Sequence, residues 1–160
     1  MAPPHKVKGL RLDEKGSKGL GKILRTKAHE LFSHQEKVLA GDIEGIHGMR
    51  VSARRLYTAI RLSEKCLPPG KLKTYRNRVK SLISALGEVR DRDVFLQLLR
   101  SSMNRSAAGR ETNVLNPLES VISSYEKERA AALRHLKGTL RRLDRKQFEK
   151  KFIAFLDKNI

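Results

Sequence analysis

Tryptophan is absent from this 160-residue chain, and aromatic residues make up only 5% of it. Binders of single-stranded nucleic acid usually stack bases on aromatic side chains, at about 1–3 kcal/mol per base. That mode has little to work with here. Cysteine occurs once, as Cys66, which excludes an internal disulfide and suits a reducing compartment. No apolar run approaches the roughly 20 residues that span a bilayer, and the first residues lack the apolar core of a signal peptide. These absences point to a cytoplasmic protein. Acidic residues are scarce too: 17 Asp and Glu stand against 35 Lys and Arg, for a net charge of +18. Such a charge opposes compaction and favours a polyanionic partner. The 39% hydrophobic share is still enough for the core of one domain of this size.

What is present is helical periodicity, with no strand signal of weight. Residues 1–20 hold two prolines and several glycines and read as a flexible leader, which leaves 21–160 as a single domain. A first helix is expected from about Lys22 to Ala40, with Gly41 as its stop and Asp42 as the next N-cap. The second, Glu44 to Leu67, ends at Pro68-Pro69-Gly70. A third covers Leu72 to Gly87, antiparallel to the second. A short fourth covers Arg90 to Leu99, with Val94, Phe95, Leu98 and Leu99 inward. Ser101 to Thr112 reads as a loop. Asn116 and Pro117 suit the N-cap and first turn of a long helix to Leu143, and Arg145 to Lys158 closes the chain. The expected fold is all-α, an antiparallel bundle of about six helices.

The second helix organises the rest. At 100° per residue, Ile46, Met49, Ala53, Leu56, Ile60 and Leu67 share one face. His47, Arg50, Arg54 and Arg61 share a stripe on the shoulder of that face, with Tyr57 in the same row. Cations bordering a buried seam cost free energy unless an anion offsets it. The third helix repeats the arrangement: Tyr75, Val79, Leu82, Ile83 and Leu86 face inward, and Arg76, Lys80 and Gly87 lie on a shoulder. Antiparallel helices with such shoulders turn them into one common groove or both away from it. The long helix adds Arg134, Lys137 and Arg141 on a comparable shoulder, with Arg129 close to its apolar face.

Other chemistries are poorly supplied. Glu44-x-x-His47 is half of a di-iron carboxylate signature, without the second pair and the further glutamates that site needs. His29 and His34 are five apart, not the four of a zinc-binding helix, and read as surface. Cys66 has no nearby base and reads as a small buried side chain. Arg90-Asp91-Arg92-Asp93 reads as helix capping plus ion pairing that holds neighbouring arginines. No phosphate-cradling glycine loop appears. We therefore expect no catalysis, no metal and no cofactor.

The block IHGMRVSARRLYTAIRL, followed about thirty residues later by LGEVRDRDVFLQLL, resembles the CHAD family, the conserved-histidine α-helical domains. His47, Arg50, Val51, Arg54 and Arg55 carry the resemblance in the first block. Leu86, Gly87, Arg90, Asp91, Asp93 and Val94 carry it in the second. A weaker likeness runs through LDRKQFEKKFIAFL, so that residues 21–158 are covered. Tyr57 stands where family members usually have a further arginine. The resemblance implies binding of inorganic polyphosphate in a basic channel, with no activity of its own. It adds Arg55 and Arg90 to the cationic candidates. Complete family domains have two similar halves, and this chain resembles the first, which implies a homodimer that restores the second. The expected role is targeting or tethering to polyphosphate, in the cytoplasm and at polyphosphate granules. Non-sequence-specific binding to nucleic-acid phosphates is the alternative, and a regulatory subunit of a polyphosphate-metabolising enzyme would look the same.

Overall fold

The computed structural model describes residues 5–11, 13–66, 69–108, 115–143 and 145–160. Six helices follow one another: α1 (Gly16–Phe32), α2 (Gln35–Ala40), α3 (Ile43–Ser63), α4 (Pro69–Ala108), α5 (Leu115–Leu143) and α6 (Arg145–Asn159). Five are long, α2 is a six-residue piece, and there is no strand among the described residues. The fold is all-α, as expected.

Cross-helix pairs show the packing to be antiparallel throughout. Arg76 of α4 meets Glu64 just beyond α3 at 2.6 Å. Along α4 and α5, Glu88 meets His135 and Arg100 meets Glu126. On α1, Glu30 reaches Arg55 of α3, and Arg25 reaches Asp157 of α6.

The turn into α3 follows from two residues. Gly41 adopts φ +82°, a left-handed conformation that costs glycine little. Its N–H donates to the Val38 carbonyl and that of Asp42 to the Lys37 carbonyl, both at 3.0 Å, the pattern of a glycine-terminated helix. The Asp42 carboxylate then accepts from the Gly45 N–H at 2.6 Å and caps α3. The apolar face read from periodicity is the core: Ile46, Met49, Ala53, Leu56 and Ile60 are fully buried. Leu67 lies outside the described residues. Opposite them stand Leu24, Ala28 and Leu31 of α1, and Leu72, Val79, Leu82 and Leu86 of α4. One end is aromatic. Phe148 of α6 has its ring centroid 5.7 Å from that of Phe32 and 5.5 Å from that of Tyr75.

Several boundaries differ from the expected ones. α1 begins at Gly16, inside the stretch read as a leader. The single helix expected over residues 22–40 breaks at Ser33-His34, where the Ser33 hydroxyl donates to the Glu30 carbonyl at 2.8 Å and takes an acceptor the helix would use. The third and fourth helices are one: α4 runs unbroken for 40 residues. Gly87 inside a helix costs only about 1 kcal/mol, and packing along α5 outweighs it. Residues 101–108, expected in a loop, extend the same helix, while 109–112 lie outside the described residues. α5 starts at Leu115, so Asn116 is helical and Pro117 occupies a first-turn position whose N–H has no partner to lose.

Joining the two helices also changes which side faces inward. Val94, Phe95 and Leu98 are exposed, at 40%, 38% and 60%, and Leu99 is half-buried. Asp93 and Leu96 point inward instead. Cys66, read as buried, is exposed.

Candidate functional site

The shoulders of α3 and α4 turn into one groove. Arg50, Arg54 and Tyr57 of α3 face Lys80 and Gly87 of α4 across a cavity of about 640 Å³. Spacings of four, three and seven place these residues along one edge of each helix. A Cβ built on Gly87 meets nothing within 4 Å, so the groove is open there. Arg54 and Lys80 are exposed, while Arg50 is half-buried with its Nε enclosed and without a hydrogen-bond partner. Among the described residues, none of these three cations has a carboxylate within salt-bridge distance. Two carboxylates, Glu88 and Asp91, also line the groove, and Glu88 turns towards His135 at 3.2 Å.

Other candidate cations are structural. Arg55, next to Arg54 in sequence, donates to Glu30 at 2.7 Å on the opposite flank of α3. Lys27 donates to the same carboxylate at 2.8 Å, and Glu30 is 2% exposed. Burial alone would raise the pKa of Glu30, but the hydrogen bonds from Lys27 and Arg55 outweigh it and hold the carboxyl below its usual range. Arg76 is taken by Glu64. Arg129 bonds Asp93 at 2.5 Å and the Gly41 carbonyl at 3.1 Å, tying α5 to α4 and to the turn before α3. Of the two aspartates in the Arg90 to Asp93 segment, Asp93 thus holds an arginine of α5 and not a neighbour in sequence, while Arg92 meets Glu128 of α5 at 3.3 Å. The segment lies within α4 and caps nothing. Arg61, Arg134 and Arg141 are exposed and Lys137 half-buried, and none of the four lines the groove.

His47 opens into a separate, smaller cavity of about 300 Å³, one turn further along the same stripe of α3. Arg90 shares it, and so do two residues that sequence reasoning set aside, His34 and Lys37. They arrive because α3 is notched. A Cβ on Gly48 would lie 2.6 Å from His34 Cε1, and one on Gly45 would lie 2.4 Å from Lys37 Cβ. The two glycines, three residues apart, let the α2 segment press against α3. That spacing in EGIHG was the available signal. The Nδ1 of His47 is enclosed without a partner. Burial lowers the pKa of His34, with Glu30 opposing that shift and His5 and Lys37 adding to it. Beyond Glu44 and Arg90 lies a third cavity of about 860 Å³, between the start of α3, the second half of α4 and α5.

The CHAD domain matches residues 22–159, which takes in the His47 stripe, the Arg90 segment of α4 and the whole of α6. The chain belongs to the CHAD family. No curated protein and no solved structure matches it. CHAD domains are associated with polyphosphate-related proteins. Among the described residues of this CHAD domain, no helix is long and apolar enough to cross a membrane. Among the described residues, no group of three or more His, Cys, Asp or Glu is placed to hold a metal ion.

Proposed function

We propose that this CHAD domain binds inorganic polyphosphate in the α3–α4 groove, without catalysis, as a module that targets or tethers. The observation that carries the reading is the absence of carboxylate partners for Arg50, Arg54 and Lys80 on facing walls of one cavity. Arg50, half-buried, is costly there on its own and favourable beside a bound anion, and the exposed Arg54 and Lys80 add charge to the same cavity. Polyphosphate has about one charge per phosphate and no bases, so forked arginines and a point-charge lysine suit it. Tyr57 is the single aromatic lining the groove, which supports nucleic-acid binding as a second reading only through phosphate contacts.

The same proposal includes a second copy of the chain. The outward strip of Val94, Phe95 and Leu98 on α4, with Val121 on α5, is an apolar surface of the kind that oligomers bury. The cellular site proposed is the cytoplasm, at polyphosphate granules.

Competition between long-chain polyphosphate and duplex or single-stranded nucleic acid, at one fixed salt concentration, tests the ligand. Polyphosphate should win against both, and affinity should fall steeply with salt, as for other polyanions. Nucleic acid displacing polyphosphate at equal phosphate concentration would reverse the two readings.

A further inference from the structure

The cationic stripe of α3 comes to an end. Arg61, Arg54, Arg50 and His47 succeed one another towards the N-terminus of the helix, where Ile43 is next in the row and Glu44 stands beside His47 on the side away from the arginines. Glu44 shares the small cavity with His47, His34, Lys37 and Arg90. At about 300 Å³, the cavity holds the volume of about ten waters, enough for one or two phosphate groups. Glu88 and Asp91 line a cavity twice as large, where an anion has more room to keep its distance. Glu44, an exposed residue, is the carboxylate in the lining of the small cavity and the acidic neighbour of a phosphate that enters it. Past that point the third cavity offers no open run of cations: Arg129 is held by Asp93 and Arg100 by Glu126. A polyanion laid along α3 therefore meets an obstacle at Glu44.

An internal phosphate of a chain has no proton to offer a carboxylate. The terminal phosphate does, because its second ionisation, like that of a phosphomonoester, falls at about pH 6. Its hydroxyl donates to Glu44 while its other oxygens accept from the imidazoles and from Lys37. We infer that the His34–Lys37–His47–Glu44 cavity is an end-group site that selects the terminal phosphate of a polyphosphate chain. This inference rests on the polyphosphate reading of the groove and assigns a binding role to His34 and Lys37, brought there by the glycine notch in α3.

The test compares chains with free ends and chains whose ends are capped as phosphoramidates of a secondary amine, which leaves neither O–H nor N–H on the terminal phosphorus, at equal length and phosphate concentration. Wild-type protein should bind the free-ended chains about tenfold more tightly, the lower end of the scale for one hydrogen bond to a charged group. Lys37→Gln, at an exposed position, and His34→Gln should each bring that ratio close to one while leaving groove binding in place. Glu44→Gln should tighten binding of both chains and abolish the ratio, an outcome that mere loss of packing does not produce. Equal binding of capped and free chains by the wild type would overturn the end-group site alone, as would a Glu44→Gln variant that weakens both. Failure of the wild type to bind either chain would instead overturn the groove reading.

Discussion

Arg54 and Arg55 are consecutive residues of one helix with opposite surroundings. Arg55 points to the seam with α1, where Glu30 waits almost fully buried and also receives Lys27 and the Ser52 hydroxyl. Arg54 points to the seam with α4, where Lys80 and Gly87 stand opposite and, among the described residues, neither Glu88 nor Asp91 nor any other carboxylate comes within salt-bridge distance. In the first seam the protein supplies the anion itself. In the second it leaves the cation for a ligand. A surplus of arginine is therefore not a diffuse property of this chain, because part of it is neutralised internally and part is aligned and unpaired.

The sharpest way to break the contrast is Glu30→Gln. Removing the buried carboxylate takes from Arg55 and Lys27 the anion they share, and unfolding by urea should show a loss of about 3 kcal/mol, with polyphosphate affinity of the folded fraction unchanged. The same carboxylate sets an acid limit. Its folded pKa lies below the ordinary glutamate value, so its contribution is complete above the unfolded pKa and is lost as pH falls through the folded value. Melting temperature should decline with acid in that window, and Glu30→Gln should flatten the decline. The reciprocal change is Arg54→Glu, which should lower polyphosphate affinity at least tenfold, about 1.4 kcal/mol, while altering stability by no more than about 0.5 kcal/mol. Lys150→Glu, an equal charge reversal at an exposed position of α6, is the control. Equal losses from the two would assign binding to net charge and not to the groove. Least in energy, Leu98→Lys should leave folding within about 0.5 kcal/mol and abolish the dimer seen by light scattering with polyphosphate present. A wild-type chain that stays monomeric while binding tightly would remove the second copy from the proposal.

Much of the contrast was legible in the sequence. The periodicity of α3 separated core from shoulder correctly, and Gly41 and Asp42 marked its start. Arg50, Arg54, Tyr57, Lys80 and Gly87 were picked from spacing alone and do line one cavity. The fate of Arg55 was not readable, because its partner lies 25 residues away on another helix. Glu30 had been passed over as a surface residue between two histidines. The unity of α4 was hidden by Gly87, a local signal overridden by packing with α5. That error carried over to Val94, Phe95 and Leu98, whose inward assignment depended on a break in the helix that does not occur. His34 and Lys37 were missed because a glycine notch on one helix only acquires meaning when another segment presses into it.

The continuity of α4 also makes it a lever. A 40-residue helix is about 60 Å long, and α4 bears the groove on its first half and the apolar strip on its second. Without a hinge between them, the two surfaces move as one body. Val94 to Leu98 lie roughly 8–14 Å beyond mid-helix, so a tilt of about five degrees at the groove moves the strip by about 1 Å. An anion drawing α3 and α4 together would thus reposition a surface it never touches, at a place where the chain presents Val94, Phe95 and Leu98 to its surroundings.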